Sequence, residues 1–104
     1  LFQARITGAE MATGDYIAFL DSDDYVEFDF YYSLIMKAQT ENADIVVGKT
    51  VIETEQGQRF INHFHDSSLD FDCLEGAAVK RAFWSQRGRC YSWHTVWNKL
   101  YAIL

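Results

Sequence analysis

Three aspartates within four residues are the part of this sequence best suited to chemistry. Asp21, Asp23 and Asp24 follow directly after the apolar run Tyr16–Leu20. Carboxylates this close repel one another, which raises their pKa values or requires a cation between them. Alternate carboxylates such as Asp21 and Asp23 can converge on one hard divalent ion, because Mg²⁺ and Mn²⁺ take oxygen ligands. The spacing therefore predicts a divalent-cation site that can neutralise a diphosphate.

Two other interpretations of the acidic residues stay open from the residues alone. In the first, Asp21 and Asp24 cap the next helix while Asp23 stays in solvent, and an ordinary Asp-rich turn favours this interpretation. In the second, the chain is a phosphatase of the haloacid-dehalogenase type, which also places Asp-x-Asp after a buried strand. That pattern has Thr or Val where this chain has Tyr25.

The elements around the aspartates decide where they lie. The sequence predicts a helix over Leu1–Thr13, and then a central strand over Tyr16–Leu20 that is buried on both faces. A second helix is predicted over Glu27–Asn42, with Asp24 or Glu27 supplying negative charge at its N-terminal end. Its apolar stripe consists of Tyr31, Leu34, Ile35 and Ala38. The aspartates then follow the carboxyl end of a strand, where open α/β sheets bind ligands.

The rest of the chain predicts a hairpin, a helix and a closing segment. The expected elements are a strand Ile45–Gly48 continuing through Ile52, a turn Glu55–Gln58, a strand Arg59–Phe64, a loop Asp66–Asp70, a helix from about Asp72 to Gln86 with Leu74, Ala78 and Ala82 on one side, and an aromatic-rich segment Tyr91–Leu104. No internal repeat or linker indicates a second domain.

Composition excludes several classes of protein. The 104 residues carry a net charge of −6, and 49% are hydrophobic, which excludes a disordered chain. An acidic chain without a Lys/Arg cluster is not a nucleic-acid reader, because phosphate neutralisation supplies most of that affinity. No signal peptide or apolar run of about 20 residues is present, which predicts a soluble intracellular chain. Cys73 and Cys90 are predicted to be free, buried or half-buried thiols.

Two further groups of residues have types that could form sites. His63 and His65 would face one side of a strand, with Asp66 following, but a third metal ligand at suitable spacing is missing, so solvent-facing histidines are the preferred interpretation. A set of aromatic rings could stack on a sugar but is more typical of a core. These rings are Phe83, Trp84, Tyr91, Trp93 and Trp97.

Most of the chain resembles a known family. The segments that carry the resemblance are Ala4–Gly8, Ala12–Val26, Asp29–Tyr31, Ala43–Val46 and Trp97–Tyr101. They resemble the family 2 glycosyltransferases of GT-A fold, in which an Ala-Arg-Asn-x-Gly helix leads into a strand ending in the Asp-x-Asp motif. The last segment is typical of members that build bacterial surface polysaccharides. The resemblance implies an α/β fold, the central part of GT-A, with strands flanked by helices plus a β-hairpin.

The resemblance also implies roles for individual residues. Asp23 matches the direct ligand of a Mg²⁺ or Mn²⁺ ion, and Asp21 bonds the ribose or shares the ion. Asp24 plays a supporting part, and Arg5 either faces the nucleotide or orients the acidic loop. The implied reaction transfers a sugar from a nucleotide-sugar, expected to be UDP-linked, to a saccharide hydroxyl with inversion. For Asn98 and Lys99 a packing role is at least as well supported as an acceptor-site role.

The chain departs from the family in two residues and in extent. Ile6 stands where the family has Asn, and Phe28 where it has Pro, but neither change removes a carboxylate. Family members carry nucleotide-binding β–α units before the position of Leu1 and an acidic catalytic base beyond that of Leu104. Residues 1–104 are therefore expected to form one partial domain, inactive alone, from a cytoplasmic enzyme that works at the inner face of the membrane. A non-catalytic fragment that folds or forms homo-oligomers is the alternative.

Overall fold

A computed structural model describes residues 1–61, 73–86 and 98–103 of the chain. Its helices are α1 (Phe2–Met11), α2 (Phe30–Glu41) and α3 (Ala77–Gln86), and its strands are β1 (Tyr16–Ala18), β2 (Ile45–Val47), β3 (Val51–Glu53), β4 (Arg59–Ile61) and β5 (Lys99–Ala102). The expected mixture of helices and small sheets is confirmed. The chain divides into two compact units, residues 1–48 with 96–104 and residues 49–95.

The sheet of the first unit has the strand order β1-β5-β2, and β5 is antiparallel to both neighbours. Tyr101 of β5 lies opposite Ile17 on one side and Ile45 on the other. The prediction of a central strand buried on both faces is wrong for β1, which forms an edge of this sheet as described and is only half-buried. The partner of β1 comes from the far end of the chain, and no pattern within residues 16–20 indicates it.

The core of the first unit lies between α2 and one face of this sheet. Leu34 and Ala38 of α2 are buried against Leu100 of β5. The half-buried side chains around them are Tyr16, Ala18, Phe30, Tyr31, Ile35 and Val46. The predicted apolar stripe of α2 is therefore confirmed, because all four of its residues belong to this core.

The start of α2 differs from the prediction. The helix begins at Phe30 rather than Glu27, Asp29 occupies the N-cap without a side-chain cap bond, and the first turn has no acidic residue. Asp21 and Asp24 therefore do not cap this helix, and Asp24 and Glu27 precede its first turn. The helix ends at Glu41, and its C-cap Asn42 has a φ of 49°, in the left-handed region that Asn tolerates.

Gly48 ends β2 at a crowded contact with β5. Its N–H donates to the carbonyl oxygen of Asn98 at 2.7 Å, and Asn98 Nδ2 donates to the Gly48 carbonyl oxygen at 3.3 Å. A Cβ at Gly48 would lie 2.5 Å from the ring of Phe30, so a larger residue there would require the ring to move. The continuous strand expected from Ile45 to Ile52 is therefore interrupted, and β3 starts only at Val51.

Asn98 and Lys99 are both buried at this contact, with 2% and 7% of their surface exposed. Lys99 Nζ donates to Asn98 Oδ1 at 2.9 Å. Burial without water requires such bonds, since an unsatisfied polar group in the interior costs about 1–3 kcal/mol. These contacts are those of a packing role for both residues.

The second unit contains the predicted hairpin. β3 and β4 are antiparallel, and Glu53 lies opposite Arg59, with Arg59 Nε 3.4 Å from Glu53 Oε2. Gly57 has a φ of 77° in the turn, which favours glycine, and its N–H donates to the Thr54 carbonyl oxygen at 2.8 Å. Residues 62–64, predicted to extend the second strand, lie outside the described residues.

The helix α3 begins at Ala77, later than predicted, directly after Gly76 with its φ of 51°. The predicted stripe of Leu74, Ala78 and Ala82 is half-buried, whereas most of their described neighbours are exposed. No helix among the described residues is long and apolar enough to cross a membrane.

Two expectations about side chains are corrected. Cys73 is a free thiol, as predicted, but it is exposed rather than buried. Trp84 is 61% exposed and is not a core residue. The remaining residues of these groups lie outside the described part of the chain or have side chains that are not described: Cys90, His63, His65, Phe83, Tyr91, Trp93 and Trp97.

Candidate functional site

The three clustered aspartates lie on one tight turn beyond β1, here called the acidic turn (Asp21–Asp24). The Asp24 N–H donates to the Asp21 carbonyl oxygen at 3.1 Å, which closes the turn around Ser22 and Asp23. Aspartate and serine suit such a turn because their side chains can bond nearby backbone groups. The turn therefore places Asp23 at its tip, two positions after Asp21 in the sequence.

An arginine on α1 fixes one end of the acidic turn. Arg5 Nη2 lies 2.5 Å from Asp21 Oδ1, and both side chains are 28% exposed. A charge-assisted hydrogen bond in a partly desolvated position is stronger than one between neutral groups. Arg5 thus forms an ion pair with the acidic turn, and the two roles implied for it by the resemblance stay predictions.

The other two carboxylates of the turn are open to solvent. Asp23 and Asp24 are both exposed. Partial desolvation, followed by the negative charges of Asp23 and Asp21, raises the pKa of Asp24 above its ordinary value of 3.8. The exposed carboxylates of Asp23 and Asp24 therefore place negative charge on the outer side of the turn, which favours the approach of a cation.

Asp24→Asn is expected to stabilise the metal-free chain at neutral pH. Since the native pKa of Asp24 is raised, its ionised form is disfavoured in the folded state, and stability present at low pH is lost as the pH rises through that pKa. Thermal melts from pH 3 to 8 should show a higher Tm for the variant at pH 7 and no difference below the ordinary pKa of aspartate. A difference in Tm between the variant and the parent that does not change with pH would contradict this explanation.

The donor set suits a divalent ion that is only partly held by protein. Mg²⁺ usually keeps several waters and binds through one or two carboxylates together with substrate phosphates. An exposed Asp23, with Asp21 two residues away, meets that requirement. No group of three or more His, Cys, Asp or Glu side chains arranged to hold a metal is found in residues 1–61, 73–86 and 98–103. Within these residues the turn offers Asp23 as an exposed carboxylate, and the three aspartates do not form an enclosed metal site.

An open groove of about 480 Å³ runs between α1 and the end of β1 to the acidic turn. The helix side presents small residues at helical spacing, Ala4, Gly8 and Ala12, whereas Met11 of the same helix is 76% exposed. The other lining residues are Leu1, Arg5, Ile17, Ala18, Phe19, Leu20, Asp21 and Ser22. The groove therefore offers apolar walls that end at an arginine and a carboxylate.

One residue near this groove was not identified as a site residue from the sequence. The ring of Tyr101 meets that of Phe19 edge to face, with centroids 6.2 Å apart. Burial raises the pKa of Tyr101, and the positive charge of Arg5 partly offsets this by lowering it. The segment Trp97–Tyr101 carried part of the family resemblance, but nothing in its spacing connects Tyr101 with Asp21, which lies far away in the sequence.

Comparisons with known proteins agree with the resemblance. The family model described as glycosyl transferase family 2 matches residues 1–95. The chain is 29% identical over 102 residues to glycosyltransferase GlyA of Streptococcus pneumoniae serotype 4, which covers 97% of this chain and 15% of that protein. It is 33% identical over 86 residues to glycosyltransferase GlyG of the same organism, which covers 83% of this chain and 28% of that protein. No solved structure matches the chain.

Proposed function

Because this chain belongs to glycosyl transferase family 2, we propose that it carries the metal and diphosphate site of an enzyme that transfers a sugar from a nucleotide-sugar to a saccharide hydroxyl. The chain spans less than a third of either curated relative. The observation that supports the proposal is the exposed acidic turn at the end of a groove whose arginine already holds Asp21. We propose a UDP-linked sugar as the donor.

Each residue of the site has a separate task in this proposal. Asp23 holds a Mg²⁺ or Mn²⁺ ion together with the donor diphosphate, because its carboxylate is exposed at the tip of the turn. Asp21, already paired with Arg5, bonds the ribose or shares the ion. Asp24 adds negative charge that draws the cation to the turn. When bound, the divalent ion supplies positive charge to the departing diphosphate.

Asp23→Asn is expected to weaken binding of UDP in the presence of Mn²⁺ by at least about tenfold, a loss of about 1.4 kcal/mol. The amide keeps the size of the side chain but removes the anionic ligand that a hard cation prefers. Isothermal titration calorimetry of UDP into the chain, with and without MnCl₂, measures the affinity directly. Binding by the parent chain should depend on Mn²⁺.

Asp15→Asn is the matched control, since Asp15 is an exposed aspartate at the other end of β1 and the substitution removes the same charge. Its affinity should stay within about twofold of the parent. If the parent chain binds no UDP, a non-catalytic fragment explains the chain better. If the chain instead hydrolyses a simple phosphoester and Asp21→Asn abolishes this, the phosphatase interpretation replaces the proposal.

A further inference from the structure

β5 brings Tyr101 beside β1, a strand whose residues line the groove. Tyr101 lies directly opposite Ile17, and paired residues of antiparallel strands share a face. Ile17 and Phe19 both line the groove, together with Arg5. Leu100, whose side chain points to the other face, packs against α2. Tyr101 therefore lies on the face of the sheet that carries Ile17, opposite the face that packs against α2.

The ring of Tyr101 contacts the groove wall through Phe19. The two rings meet at an interplanar angle of 70° with centroids 6.2 Å apart, the edge-to-face geometry that stabilises aromatic pairs. Phe19 lies two residues before Asp21, so its position affects where the acidic turn begins. Burial raises the pKa of the Tyr101 phenol, and the positive charge of Arg5 partly offsets this by lowering it.

We propose that Tyr101 is a positioning residue of the donor site, and that its ring holds Phe19 in the groove wall beside the Arg5–Asp21 ion pair. The proposal rests on the function proposed above for the acidic turn. Tyr101 itself touches neither nucleotide nor metal in this arrangement. It acts through Phe19, and the ring rather than the hydroxyl performs the task.

This role differs from general support of the fold. β5 also stabilises the sheet through Leu100, so any substitution in this strand can lower stability without affecting the site. A positioning role predicts that affinity follows the aromatic ring at residue 101 and does not follow stability. Tyr31 is a suitable comparison, because it is also half-buried and its ring meets that of Phe30 edge to face, with centroids 5.2 Å apart. Unlike Tyr101, it belongs to the core on the other face of the sheet.

The test compares Tyr101→Leu, Tyr101→Phe and Tyr31→Leu in the 104-residue chain. Calorimetry with UDP and MnCl₂ should show about tenfold weaker binding for Tyr101→Leu, and binding within about twofold of the parent for Tyr101→Phe and Tyr31→Leu. Thermal melts should show that both leucine variants lose stability. The Arg5 Nε–Hε resonance, assigned by its loss in Arg5→Lys, gives a second measurement without ligand, and it should move toward the free-arginine position only in Tyr101→Leu.

The outcomes separate this proposal from the proposed function. Equal losses of affinity in Tyr101→Leu and Tyr31→Leu, or no loss in Tyr101→Leu, would overturn the positioning role while the parent still binds UDP. If the parent binds no UDP, the proposed function fails, and the Arg5 resonance alone then tests the positioning role of Tyr101. A shift confined to Tyr101→Leu then supports the positioning of the Arg5–Asp21 pair, and an unchanged resonance overturns it.

Discussion

Leu100→Ala is expected to lower the free energy of unfolding by about 2–5 kcal/mol, the usual cost of a leucine-to-alanine change in a core. Leu100 is 4% exposed and belongs to the buried set formed with Leu34 and Ala38. It lies on β5, which pairs with both other strands of the sheet. The shorter alanine side chain therefore leaves a cavity at the point where α2 and all three strands of this sheet meet. Urea unfolding followed by circular dichroism measures the loss.

Leu1→Ala makes the same chemical change at a side chain that is 84% exposed. Its effect should stay within about 0.5 kcal/mol, as is usual for surface positions. Similar losses for the two variants would show that Leu100 is not part of a cooperative core.

Asn98→Ala is expected to lower the free energy of unfolding by about 2–3 kcal/mol. Asn98 is 2% exposed, accepts from Lys99 Nζ at 2.9 Å and donates to the Gly48 carbonyl oxygen at 3.3 Å. Truncation removes an acceptor from a buried ammonium and a donor from a buried carbonyl, and losing a partner costs more when the remaining group is charged. Urea unfolding at constant ionic strength measures the loss.

A double-mutant cycle with Lys99→Met separates the bond from the packing. If Asn98 Oδ1 stabilises the Lys99 ammonium, the double variant should lose less stability than the sum of the single variants, because the removed charge no longer needs the acceptor. Strict additivity would show that the two side chains do not depend on one another.

The sequence predicts the helices of this chain better than its sheet. The stripe Tyr31, Leu34, Ile35 and Ala38 repeats at helical spacing, and this local pattern is sufficient to identify both α2 and its buried face. The pairing of β1 with β5 joins residues about 85 positions apart, and no local pattern records which strand will be the neighbour. For this reason β1 was expected at the centre of a sheet, whereas β5 takes that place among the described strands.

In the candidate site, too, local patterns identify residues but do not predict their long-range contacts. The carboxylates of the acidic turn were identified from their spacing alone, and Arg5 from the resemblance. That Arg5 engages Asp21 depends on the angle at which α1 meets the strand, which neither source specifies. Tyr101 was missed as a site residue because only the strand register places it opposite Ile17, and it also lies beyond the matched residues 1–95.

The expected continuity from Ile45 to Ile52 failed for a local steric reason. β-branched residues on both sides of Gly48 favour an extended strand. The Phe30 ring over Gly48 and the bonds to Asn98 end that strand at Val47 instead. Phe30 and Asn98 are both distant from Gly48 in sequence, so the strand propensity of residues 45–52 does not predict the interruption.

The place of β5 in the sheet has a consequence for the order in which this unit folds. β1 and β2 do not pair with each other, and each is joined to the described sheet by β5 alone. Closing a loop of about 85 residues costs about 4 kcal/mol of chain entropy before any contact offsets it. The pairing of β1 with β5 therefore forms only after Lys99–Ala102 has left the ribosome, and pairings of such high contact order form slowly.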